Sequence, residues 1–246
     1  MSIKEIWLGN NFRVPATVKK IQAFGKGVYQ VDFDLPSRYT RFAPGQFLHL
    51  ALDEFDPTLG FWPESRVFSI ASEPRHDTAT VVYSVKGRFT LRMEAELSVG
   101  RRVWLKLPYG SFTIDPNVEG PIVLIAGGTG VAPYWPFLLA DDARSVPVYL
   151  YYGIRELGHL LFADLLDRLG SRPWFHLRLF VEGGVKGRFA FEKGRLSINA
   201  VADELGNRLA LADLYLSGPP VMITTFKQDL LVRGVSAHRI HIDEWE

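Results

Sequence analysis

Apolar and polar residues alternate over short runs in the first half of the chain, and Gly, Pro and polar turns separate the runs. Val28–Leu35, Gln46–Leu52, Val67–Ala71, Thr80–Val85 and Arg102–Leu107 each read as a strand with one face on a core. Short strands at such spacing predict an antiparallel barrel or sandwich. One stretch, Leu91–Leu97, has helical spacing and ends near Gly100.

The rhythm changes after Asp115–Pro121, a collection of breakers and charges that reads as a linker. Ile122–Ala126 is a continuous apolar run, the pattern of a parallel strand buried on both faces. Val148–Tyr152, Phe175–Val181 and Asp213–Ser217 are further strand candidates. Helical stretches lie between them, Leu160–Leu169 followed by Gly170 and Val221–Arg233 followed by Gly234. Strand and helix in alternation predict a doubly wound parallel sheet, so residues 1–116 are expected to form a β domain and residues 117–246 an α/β domain.

Composition narrows the chemistry. The 246 residues suit one large domain or two modest ones, and 47% hydrophobic with 22% charged residues is ordinary for a globular chain. Twenty-eight Lys and Arg against 27 Asp and Glu leave a net charge of +1, without the basic footprint of a nucleic-acid binder. The absence of cysteine removes disulfides, thiolate-held iron–sulfur clusters, thiol nucleophiles and Cys-ligated zinc. Redox chemistry here must ride on an organic cofactor or an unusual ligand set. The histidines show no metal-ligand spacing apart from His238-x-x-His241, and no metal is expected. Met1–Trp7 lacks a signal-peptide core and no stretch has 18 consecutive apolar residues, so a cytoplasmic protein away from the membrane is expected.

Four motifs could carry chemistry. Ala126-Gly-Gly-Thr-Gly-Val-Ala-Pro133 follows a buried strand and precedes a helix expected to begin near Pro133. Its glycines would let backbone approach a pyrophosphate, although a tight turn needs glycine on steric grounds alone. Ser217-Gly-Pro-Pro220 repeats that logic after a later strand, and two such loops at carboxyl strand ends would converge where open α/β sheets bind ligands. Arg66-Val-Phe-Ser69 on an extended strand would put Arg66 and Ser69 on opposite faces unless a bulge intervenes. Lys86-Gly-Arg-Phe-Thr90 offers two cations, a glycine and a hydroxyl at a helix start, an anion seat or a solvated turn.

Together with Pro108-Tyr-Gly-Ser-Phe112, Tyr152-Gly-Ile-Arg155 and an acidic, aromatic C-terminus, these motifs stand in the order and approximate spacing of the ferredoxin–NADP reductase superfamily, which the chain resembles from about Arg13 to Glu246. The resemblance implies a six-stranded antiparallel barrel that holds FAD and an α/β domain that holds NADPH or NADH. It places Arg66 on the flavin pyrophosphate, Phe68 on the isoalloxazine where the family usually has Tyr, and Ser69 near the flavin N5, with Val67 between them. Backbone around Gly87, Phe89 and Thr90 would hold phosphate. Gly128, Thr129 and Gly130 would meet the nicotinamide nucleotide's pyrophosphate side, and Pro133, Gly218 and Pro219 are further cofactor-binding candidates. Tyr152 and Arg155 would face its adenosine half, and Met222 the adenine.

Two departures matter. Many relatives have Cys where this chain has Ser217, so hydride transfer is expected to be slower but not lost. Asp243 and Trp245 align with an acid near the flavin and an aromatic that shields it, and an offset of one would make Glu244 the acid. The implied activity is a flavin-dependent NAD(P)H reductase that passes single electrons to a separate acceptor such as a ferredoxin, a flavodoxin or an oxygenase component, working as a monomer. A free-flavin reductase, a non-catalytic subunit of a larger complex, and FMN in place of FAD stay open. Arg155 inclines the donor slightly toward NADPH and Glu156 opposes it.

Overall fold

Six antiparallel strands wrap a single apolar core in the first half of the chain: β1 (Phe12–Ala23), β2 (Val28–Asp34), β3 (Phe47–Ala51), β4 (Ser65–Ser69), β5 (Thr78–Ser84) and β6 (Arg102–Tyr109). The computed structural model describes residues 12–36, 41–74, 77–140, 144–184 and 187–243. Neighbours run in the order β4-β3-β6-β1-β2-β5. Just past β4, Ala71 N–H donates to Thr80 O of β5 at 2.8 Å, which draws the two edge strands together into a nearly closed barrel.

Alternation explains the core. Val14, Ala16 and Val18 of β1 face inward with Val31 and Phe33 of β2, Leu48 and Leu50 of β3, and Val103, Leu105 and Leu107 of β6. β1 has no counterpart among the strands expected from pattern, because Pro15 and the Lys19–Lys20 pair break its rhythm. Pro15 is tolerated where β1 pairs with β6 alone, since pairing with β2 starts only at Thr17. Helix α1 (Arg88–Glu96) follows β5, beginning three residues earlier than the apolar spacing indicates, and Phe89 and Met93 turn its apolar face to the barrel.

The second half holds β7 (Ile122–Gly127), β8 (Val148–Glu156), β9 (Phe175–Gly183), β10 (Glu192–Lys193), β11 (Asp213–Ser217) and β12 (Ile240–Ile242). All pair in parallel, in the order β10-β9-β8-β7-β11-β12. Helices α2 (Trp135–Leu139), α3 (Ala163–Gly170), α4 (Ile198–Leu205) and α5 (Pro220–Val232) lie between them. α3 and α5 fall close to the expected stretches, whereas α4, capped by the Ser197 hydroxyl on Asn199 N–H at 3.1 Å, is an addition. Val123, Ile125, Leu214 and Leu216 bury between the sheet and α4 and α5.

The chain divides into two compact units, Met1–Thr113 with Ala132–Ala140, and Ile114–Val131 with Asp141–Glu246. A single cut after residue 116 does not describe this division, because Ala132–Ala140 group with the barrel. Among the described residues no helix is long and apolar enough to cross a membrane.

Candidate functional site

In the barrel unit, β4 and the start of α1 assemble a cationic rim. β4 pairs with β3 in unbroken register from Ala51↔Ser65 to Phe47↔Ser69, so the Arg66 and Ser69 side chains lie on opposite faces. The Arg66 guanidinium sits over the Phe89 ring at 5.3 Å from its centroid, donates to Ser65 O at 2.8 Å and reaches Glu64 Oε1 at 3.3 Å. Arg88 approaches the other oxygen of Glu64 at 3.6 Å. The turn that opens α1 is closed by Thr90, whose Oγ1 accepts from Lys86 N–H and Gly87 N–H and donates to Gly87 O. That hydroxyl is occupied by its own backbone, which leaves the first-turn amides and the arginines, not a threonine hydroxyl, as the candidate donors around Gly87, Phe89 and Thr90. A Cβ at Gly87 would meet nothing within 4 Å, so the space beside that glycine is open.

Ser69 is buried at the end of β4, and Val67 beside it is half-buried. Phe68 is 9% exposed and packs edge-on against Tyr83 in the barrel core, so little of it is open to a ligand. Pro108–Phe112 has a structural task. Gly45, at φ +97°, comes so close to Phe112 that a Cβ would lie 2.0 Å from its carbonyl oxygen. The buried Gln46 fastens the same junction, accepting from Ala43 N–H at 2.8 Å and donating to Gly110 O at 3.1 Å.

In the parallel-sheet unit the strand order reverses at β7, with β8 on one side and β11 on the other, and the loops after β7 and β11 flank that point. They meet backbone to backbone. A Cβ on Gly130 would lie 2.5 Å from Ser217 O and 2.6 Å from Gly218 N, and one on Gly218, at φ +149°, would lie 2.9 Å from Gly127 N. Gly128, at φ +57°, faces open space. The expected helix start at Pro133 is displaced: Gly128–Tyr134 form a 3-10 turn and α2 begins only at Trp135. The glycines favour a tighter turn over an immediate α-helix, and Pro133, inside that turn, is buried.

Residues 124–228 match the family model for the oxidoreductase NAD-binding domain. The reductase component of propane 2-monooxygenase from Mycolicibacterium smegmatis is 31% identical over 194 residues, which cover 74% of this chain and 53% of that protein. Among solved structures, the ferredoxin reductase in carbazole 1,9a-dioxygenase matches with a TM-score of 0.77 at 23% identity, covering 97% of this chain and 71% of that one. A ferredoxin NADP+ reductase from Neisseria gonorrhoeae, with bound FAD and NADP, matches with a TM-score of 0.75 at 19% identity, covering 94% and 97%. The chain has the fold of the ferredoxin reductases, and its residues 124–228 carry the oxidoreductase NAD-binding domain. It spans 53% of the length of that propane monooxygenase reductase and 59% of the one from Mycolicibacterium goodii.

Within this reductase-like chain the remaining candidates separate into exposed and enclosed groups. Arg155 is exposed near the carboxyl end of β8. Thr129 is half-buried, Pro219 is exposed, and Met222 packs its thioether against Gly127 and Gly218. Tyr152 has no exposed surface, and its hydroxyl lies beside the Leu161 backbone without reaching hydrogen-bond geometry. The parallel sheet buries both faces of β8 there, which encloses the Tyr152 side chain in the core and leaves none of its surface open for the expected contact with an adenosine.

Ser217 and Asp243, which the sequence presents 26 residues apart, are joined. Ser217 Oγ donates to Asp243 Oδ2 at 2.8 Å, and both residues are buried. Pairing of β11 with β12 sets this up, because Asp243 N–H donates to Leu216 O one residue before Ser217. Burial pushes the Asp243 carboxyl up to about 6, and the Ser217 hydroxyl, by stabilising the carboxylate, opposes the rise. The carboxyl therefore takes up a proton as pH falls through about 6. Trp245 and Glu244 lie outside the described residues. The histidines of His238-x-x-His241 serve separate partners, His238 the Ser236 hydroxyl and His241 the Tyr215 ring and Asp213.

Proposed function

We propose that this chain is a flavin-dependent NAD(P)H reductase that hands electrons one at a time to a separate redox protein such as a ferredoxin, a flavodoxin or an oxygenase component. One observation carries the reading: a single chain holds an arginine-and-amide rim on an antiparallel barrel and a glycine junction at the reversal point of a parallel sheet. Both donor sets suit phosphate-bearing groups, the first by charge and the second by close backbone approach. The names of the relatives support it, since one is the reductase component of a monooxygenase and another a ferredoxin reductase in a dioxygenase.

On this reading Arg66, Arg88 and the first-turn amides of α1 hold the phosphates of FAD, and Val67, Phe68 and Ser69 line its ring system. Gly128, Thr129, Gly130, Gly218 and Pro219 admit the nicotinamide nucleotide, Arg155 contacts its adenosine end, and Met222 shapes the wall beside Gly127. A bound flavin supplies the redox chemistry, taking a hydride from a reduced nicotinamide and giving up electrons singly. The protein orients the bound groups, excludes water, and holds the Ser217 hydroxyl proton toward Asp243 Oδ2. The reading extends to a monomer working in the cytoplasm, which light scattering and fractionation test.

The deciding experiment is the absorption spectrum of the purified protein before and after anaerobic NADPH and, separately, NADH. A flavin band that bleaches within the mixing time is expected, and the faster nucleotide identifies the donor. A colourless protein that oxidises NAD(P)H only with added flavin would replace the proposal with a free-flavin reductase, and a protein that does neither would overturn both.

A further inference from the structure

We propose that Glu64 is a built-in counter-ion for the arginine rim, surrendered when the phosphate of a flavin is bound. The inference rests on the reading of Arg66 given above and adds the regulation of that site.

Three guanidiniums surround the Glu64 carboxylate: Arg66 at 3.3 Å, Arg88 at 3.6 Å and Arg92 at 3.9 Å. Arg92 is held elsewhere. Asp53 binds it in bidentate fashion at 2.8 and 3.2 Å, and Glu96 takes its Nε–H at 2.9 Å. Arg66 and Arg88 have no such second carboxylate in the described contacts. Glu64 thus shares one negative charge between two cations beside the first amides of α1, the donors the flavin phosphate would use.

A phosphate brought to Arg66 meets that carboxylate as a like charge. Either Glu64 turns away, forfeiting its ion pairs, or it stays and repels the ligand, and both costs are charged to binding. The ion pairs are half exposed, with Arg66 at 54% and Glu64 at 35% side-chain exposure, so the exchange needs only rotation into solvent and no change of backbone. Glu64 also directly precedes β4, two residues before Arg66.

The test uses the full chain freed of flavin and titrated with FAD, FMN and riboflavin, by quenching of flavin fluorescence, at low and at high salt. Glu64→Gln is expected to tighten FAD and FMN by about two- to fivefold at low salt and to steepen the salt dependence. Riboflavin, without phosphate, should bind as it does to wild type. Arg66→Ala in parallel should weaken FAD by about ten- to a hundredfold. If Arg66→Ala weakens FAD while Glu64→Gln leaves it unchanged or weaker, the counter-ion role is overturned and the Arg66 reading stands. If Arg66→Ala changes nothing, the Arg66 reading itself fails. Tightening of riboflavin as much as FAD would also overturn the proposal, because it would show a general opening of the site and not relief of charge.

Discussion

The barrel unit adds charged side chains to the few amides at the start of α1, and the parallel-sheet unit presents its candidate binding groups chiefly as backbone. On β4 and α1 the cations stand on regular elements whose core faces are occupied by Phe68, Phe89 and Met93, so the charged heads can change without touching the fold. At the ends of β7 and β11 the reverse holds: Gly130 and Gly218 are both the candidate ligand surface and the packing contact. Substitutions on the rim should therefore register as affinity, and substitutions at the junction as stability and affinity together.

Gly130→Ala is the strongest way to break that contrast. Its Cβ would collide with Ser217 O and Gly218 N, groups that cannot rotate away, so nucleotide binding should be lost and stability should fall by about 2 to 3 kcal/mol in chemical denaturation. A variant as stable as wild type that still binds NAD(P)H would mean the loops do not meet as described.

Asp243→Asn probes the junction by pH. The carboxyl is raised from 3.8 to about 6 in the fold, so its contribution is fully present below about pH 4 and is lost as pH rises through about 6. Asn removes that dependence. Between pH 4 and 7 the variant should gain on wild type by as much as about 3 kcal/mol, read as the difference between two denaturation series. Parallel pH curves for the two proteins would show that the carboxyl is not perturbed.

How far these features could be read from the sequence follows the same division. Side-chain alternation exposed most barrel strands, and the long apolar run of Ile122–Ala126 exposed the parallel sheet. β1 escaped because Pro15 and its lysines hide the period, and β10 escaped because a two-residue strand has none. Arg66 and the glycine loops were legible from local sequence. The Ser217–Asp243 bond was not, since it depends on β12 pairing beside β11 in one register. Tyr152 misled because parallel-strand burial encloses a polar-tipped residue that the motif displays. Glu64 carries no motif, and only the three-dimensional clustering of arginines around it marks it out.

Smaller effects sharpen the contrast further. Arg155→Ala should lower the ratio of kcat/KM for NADPH over NADH by about five- to tenfold if its exposed guanidinium meets a 2′-phosphate, roughly 1 kcal/mol. An unchanged ratio would remove Arg155 from donor choice. Tyr152→Phe should be nearly silent, within about 0.5 kcal/mol of wild type and with the same nucleotide affinity, because the hydroxyl it deletes makes no hydrogen bond. A marked loss of affinity would return that residue to the binding site.

Residues 132–140 sit in the chain between two stretches of the parallel-sheet unit yet group with the barrel. The backbone consequently changes unit at three places, after Thr113, Val131 and Ala140. Recombination at a single breakpoint near the linker would hand Tyr134, Trp135 and Phe137, all buried, to the wrong parent. A chimera that borrows a new parallel-sheet unit must carry the old 132–140 segment with it, or rebuild a barrel unit that has lost three of its aromatic residues.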